Sequence, residues 1–145
     1  MKKSERFSVM VRIEETNERE EARKYSEFRK AIQDKKTKLA ELEQYLDEYK
    51  ERFLSLTRFG AQAEQIKSCY AFIRQLNGAI AQQQKRVLDA ESSEEEYRQH
   101  WLQAKRRMDV LRKAVNKFRL EELQHERRKE QTITDEIARR KYREY

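Results

Sequence analysis

The stretch Thr57–Gln65, TRFGAQAEQ, is the one break in an otherwise continuous seven-residue rhythm. On its N-terminal side, Tyr25, Phe28, Ile32, Lys35, Leu39, Leu42, Leu46, Tyr49, Phe53 and Leu56 follow one another at alternating steps of three and four. On its C-terminal side the same steps link Ile66, Cys69, Ile73, Leu76, Ile80, Gln83, Val87, Ala90, Glu94, Tyr97, Trp101, Ala104, Met108, Leu111, Val115 and Phe118. These are heptad a and d positions. Nine of the first ten and fourteen of the next sixteen are apolar, in a chain that is only 37% hydrophobic. So strict a repeat implies a supercoiled pair of helices rather than disorder. Gly60 is suited to the left-handed residue that ends a helix. The linker is short, so the two helices fold back antiparallel.

The expected fold is therefore all-α: one long two-helix antiparallel coiled-coil hairpin over residues 1–145. Helix one is expected at about 14–58, the turn at about 59–63 and helix two at about 64–140. Asn17–Glu20 has the residue types of a capping box. Phe7, Val9, Val11 and Ile13 alternate, but a lone strand has nothing to pair with. Residues 1–13 are read as frayed or as a helical extension. Past Phe118 the heptad slots become polar, so the tail is expected to be helical and weakly packed. Composition agrees: 145 residues, 42% charged, no proline and two glycines leave room for few turns.

Folding the hairpin so that residue numbers sum to about 121 brings Tyr45 beside Leu76, Tyr49 beside Phe72 and Leu42 beside Ala79. Tyr45, Phe72 and Ala79 are g positions, which share one flank of an antiparallel pair. Either these side chains widen the seam, or they form a docking face of the aromatic kind that marks interaction sites. Lys35, Gln83 and Glu94 are read as polar residues that set the register.

Charge is uneven. Residues 105–145 carry 14 Lys/Arg and 8 Asp/Glu, a net of +6. The basic residues are interleaved with acids and match no DNA-reading pattern, which makes nucleic acid a weak reading beside an acidic protein surface. The stripe Trp101, Met108, Leu111, Val115 and Phe118 faces residues 3–20, which offer Phe7, Val11 and many glutamates. Either residues 1–20 close that stripe imperfectly or a partner does. Catalytic residues, cofactor and metal are all expected to be absent. There is no glycine-rich phosphate loop, His100 and His125 lack ligand spacing, and Cys69 sits at a core d position. The N-terminus has no apolar signal segment, and no apolar run approaches the ~20 residues that span a bilayer.

Several stretches resemble the flagellar export protein FliJ family: YLDEY at Tyr45–Tyr49, Gly60, YAFIRQLNGAIAQQQ from Tyr70, Trp101, RKAVNKF at Arg112–Phe118 and RRKEQTITDEIARR at Arg127–Arg140. The resemblance implies a stalk similar to the γ-subunit of rotary ATPases. It would be cytoplasmic and held peripherally at the inner membrane of the flagellar base. Its implied partners are the flagellar export ATPase ring, the cytoplasmic linker of the membrane export gate, and empty flagellar export chaperones. The implied gate-binding patch is Leu42, Tyr45, Tyr49, Phe72, Leu76 and Ala79, edged by Lys38 and Gln83. Lys38 stands where the family often has a neutral polar residue, and Gln83 where some members have histidine. Candidates for ATPase contact are Trp101, Met108, Leu111, Val115 and Phe118 with Arg127, Arg128, Arg139 and Arg140. A monomer is expected in isolation. The alternatives are a free-standing coiled-coil scaffold that homodimerises, and a nucleic-acid-binding basic helix.

Overall fold

The computed structural model describes residues 1–144. Two helices account for it: α1, Lys3–Arg58, and α2, Ala63–Glu144. Tyr145, the last residue of the expected hairpin, lies outside the described residues. Residues 3–13 are helix, and so are residues 141–144. The alternation of Phe7 with Val11 and of Val9 with Ile13 is thus a helical one. Phe7 and Val11 lie on the half-buried face, whereas Val9 and Ile13 are exposed.

The turn is built by hydrogen bonds that the sequence makes possible. Gly60 takes a φ of 72°, a conformation that a Cβ would strain. That lets the Ala61 N–H reach back to the Leu56 carbonyl at 3.0 Å, the six-to-one bond of a Schellman ending. Gln62 then starts α2, its carbonyl accepting from the N–H groups of Gln65 and Ile66 at 3.1 and 3.2 Å.

The chain divides into two compact units, Ala22–His100 and residues 1–21 with residues 101 onward. In the first, α1 and α2 form an antiparallel hairpin on the predicted heptads. Ile32, Cys69, Ile73, Leu76, Ile80, Val87 and Ala90 are buried, and the remaining α1 seam positions are half-buried. The seam is tied across by more than apolar contact. Gln83 is 3% exposed and donates its side-chain amide to the Lys35 carbonyl at 3.0 Å. Two heptads nearer the turn, the Cys69 thiol points at the Tyr49 carbonyl at 3.6 Å. One flank is laced by Lys36–Glu91 at 2.9 Å, with Arg29–Glu94 at 3.8 Å nearby.

In the second unit, residues 4–21 of α1 close the stripe Trp101–Phe118. Ala104, Met108 and Val115 are buried, and Phe7 meets Phe118 edge-on with centroids 4.9 Å apart. The glutamates expected to cover the stripe poorly do so through their polar ends. The Trp101 indole N–H donates to Glu18 at 2.9 Å, Arg112 donates to Glu15 at 2.9 Å, and Arg107 sits 3.5 Å from Glu14.

The two glycines give opposite predictions. A Cβ at Gly78, inside α2, would meet nothing within 4 Å. Gly78→Ala should stabilise the protein by about 1 kcal/mol through helix propensity, raising the midpoint of a thermal melt followed by circular dichroism. Gly60→Ala has open space too, but forces alanine to a positive φ. It should lower the midpoint, by a cost of about 1–2 kcal/mol.

Candidate functional site

Within the unit Ala22–His100, heptad geometry sends g positions of both helices to one flank. Here these are Lys38, Tyr45 and Arg52 on α1, and Gln65, Phe72, Ala79 and Arg86 on α2. Tyr45 is 53% exposed and Phe72 38% exposed, large values for aromatic rings on an ordered helix. Phe72 packs against Tyr49 with centroids 4.3 Å apart, and the Arg52 guanidinium lies 4.8 Å over the Tyr49 ring. Phe72 is thus held against Tyr49 and still keeps part of its ring exposed. Beside them a shallow groove toward the turn is lined by Tyr49, Arg52, Leu56, Ser68, Cys69 and Phe72.

The structure sorts the predicted patch into three groups. Tyr45 and Phe72 are exposed, and Leu42, Tyr49 and Ala79 are half-buried beside them. Leu76, at 6% exposed, and Gln83 belong to the seam, so they support the face from below. Lys38 is exposed and lies in a separate cleft with Asp34, Lys35, Gln83 and Arg86.

The second candidate set divides likewise. Met108 and Val115 are buried under α1, and Trp101, Leu111 and Phe118 are half-buried. Their apolar surface is largely used inside the unit. Arg127, Arg128, Arg139 and Arg140 are exposed on the last part of α2, as are Ile133 and Ile137.

One polar arrangement of that unit had no sequence signal. The Ser4 N–H and hydroxyl both donate to the Glu122 carboxylate, at 3.1 and 2.7 Å, and Ser4 is 5% exposed. A carboxylate from α2 thus caps the first turn of α1, where backbone N–H groups lack partners and negative charge is favoured. The Lys2 ammonium reaches Glu126 at 3.2 Å just beyond. Read from sequence, Ser4 is one polar residue near a terminus, and its acceptor lies 118 positions away.

Among the described residues no group of histidine, cysteine or acidic side chains could hold a metal ion, and no helix is long and apolar enough to cross a membrane.

Two helices paired on heptads, with an exposed aromatic flank near the turn, define an all-α helical-hairpin protein. The chain belongs to the flagellar FliJ protein family, whose model matches residues 2–144, nearly its whole length. It is therefore a flagellar protein-export component. No curated protein and no solved structure matches it.

The Ser4–Glu122 cap has a pH signature. The Ser4 hydroxyl first, and then its backbone N–H, hold the Glu122 carboxyl below the ordinary value of 4.5. A carboxyl depressed on folding favours the folded state above its unfolded pKa, and that contribution is lost as pH falls through the folded value. A carboxyl-carbon titration by NMR should place the Glu122 midpoint below 4.5. Ser4→Ala should move it back up toward that value.

Proposed function

We propose that this protein is a non-enzymatic coupling stalk of the flagellar export apparatus. It links the export ATPase ring to the cytoplasmic linker of the membrane export gate, in the manner of a rotary-ATPase central stalk, and escorts empty export chaperones. The observation that supports the gate contact is the exposure of Tyr45 and Phe72 on one flank, with Phe72 packed against Tyr49. Aromatic residues ordered before binding are favoured anchors, because little side-chain freedom is lost when the partner arrives. The basic residues Arg127, Arg128, Arg139 and Arg140 on the exposed end of α2 suit an acidic surface on the ATPase ring.

The gate contact predicts a specific loss. Tyr45→Ala combined with Phe72→Ala removes both exposed rings and leaves the seam residues in place. Helicity by circular dichroism should be retained, while a pull-down with the cytoplasmic part of the export gate should lose the protein, a drop in affinity of roughly 100-fold for two anchor residues. Undiminished gate binding by the double variant sinks the assignment of this flank.

A further inference from the structure

The turn end of the hairpin Ala22–His100 carries a charge that its own chain does not offset. From Arg52 to Leu88 there are six basic residues, Arg52, Arg58, Lys67, Arg74, Lys85 and Arg86, and one acid, Glu64, a net of +5. The whole chain has 27 acidic residues, so this stretch is where they are missing. All six cations are exposed, and among the described residues none of them is in an ion pair. Farther from the turn the pattern reverses, and Lys36 and Arg29 each meet a glutamate of α2.

Apolar side chains stand among these cations. Phe59 is 82% exposed, Leu54 59% and Tyr70 53%. Each has a local cause. Phe59 comes just after α1, where its N–H still reaches the Ser55 carbonyl at 3.0 Å, and the positive φ of Gly60 then ends the helix. A turn between two helices has no third element to cover that ring. Leu54 is at an outward b position of α1. Tyr70 is at an e position of α2, its ring tilted against Phe53 with centroids 6.1 Å apart. Lys67 and Arg74 lie three residues before it and four after it, on the same face of α2. Arg58 adjoins Phe59.

We infer that this turn end binds an anionic lipid surface. Phe59, helped by Leu54 and Tyr70, enters the boundary between headgroups and acyl chains, while Arg58, Lys67 and Arg74 meet lipid phosphates. The inference goes beyond the gate contact and does not depend on it. Unpaired cations beside exposed rings are what an interfacial anchor needs, since charge draws the chain to the surface and apolar area holds it there. The alkyl stems of the cations let their charged ends stay at phosphate level while a neighbouring ring sits deeper. A second copy of the chain is disfavoured, because two ends with the same excess charge repel. Duplex DNA would engage the cations but leave Leu54 in water.

The full chain is sedimented with phosphatidylcholine vesicles that hold about one-third phosphatidylglycerol, and with vesicles of phosphatidylcholine alone. No gate protein is present. The chain should bind the anionic vesicles and not the neutral ones, and high salt should release it. Phe59→Ala should weaken binding roughly tenfold. Lys67→Glu combined with Arg74→Glu should weaken it at least tenfold. Phe59 lies outside both helices and positions 67 and 74 are exposed, so circular dichroism should show each variant folded. Phe59→Trp should keep binding, and its fluorescence should shift to shorter wavelength on the anionic vesicles. The unaltered chain, whose one tryptophan is Trp101, should show no such shift.

Vesicle binding that survives both Phe59→Ala and the paired reversals overturns the assignment, and places the attraction on another basic part of the chain such as residues 127–143. Failure of the unaltered chain to bind the anionic vesicles overturns it too, as does equal binding to neutral ones. Capture of the chain by polyglutamate at physiological salt, as strong as on vesicles and equally weakened by Phe59→Ala, replaces the lipid surface with an acidic protein.

Discussion

The polar layer in which the Gln83 side chain donates to the Lys35 carbonyl sets which residues of α1 lie beside which residues of α2 in the hairpin Ala22–His100. Apolar heptads alone specify that two helices pair. They are nearly blind to a slip of one heptad, because leucine, isoleucine and valine replace one another with little penalty. A shared polar layer is different: a one-heptad slip would seat Gln83 against Phe28 or Leu42 and Lys35 against Leu76 or Ala90, so that two polar residues that now share one layer would each interrupt an apolar one. The Cys69 thiol facing the Tyr49 carbonyl repeats the same geometry two heptads away. Between these two layers lie Leu42 and Leu76, and above them Tyr45 and Phe72. The flank that carries Tyr45 and Phe72 is therefore the part of the hairpin held between two cross-seam contacts.

The same constraint creates the neighbouring cleft. A polar layer cannot be packed as densely as an apolar one, and the long cationic side chains around it project to the flank. One polar layer, made by Lys35 and Gln83, thus accompanies two features, the register that positions the aromatic rings and a charged recess on the same flank. Opposite charges are used differently on the other flank. There Lys36 pairs with Glu91 across the hairpin edge, an exposed pair that adds little stability.

Much of this was legible in the sequence, because heptads, the Gly60 ending and the g-position flank are local or arithmetic patterns. A register sum of about 121 was enough to put Tyr49 against Phe72, which the ring contact at 4.3 Å bears out. Three things were not legible. The resemblance joins Gln83 and Lys38 as edges of one patch, yet Gln83 is buried, in keeping with its seam position, and Lys38 is exposed. Position in a heptad does not say whether a long polar side chain turns inward to a carbonyl. The closure of Trp101–Phe118 was hidden because glutamate in a seam slot reads as a poor cover. Glu18, in such a slot, is half-buried and takes the Trp101 indole N–H on its carboxylate. The Ser4–Glu122 cap joins residues whose pairing depends on the register far from the turn, where no sequence motif marks it.

Tyr45 and Tyr70 offer the sharpest comparison, since both are 53% exposed and lie on opposite flanks of the same hairpin. A photoreactive benzoylphenylalanine in place of one or the other, in the full chain, reports which flank meets the export gate. Illumination with the cytoplasmic part of the gate should crosslink the protein labelled at position 45 and leave the one labelled at position 70 uncrosslinked. Equal crosslinking from both positions, or crosslinking from position 70 alone, would contradict the account.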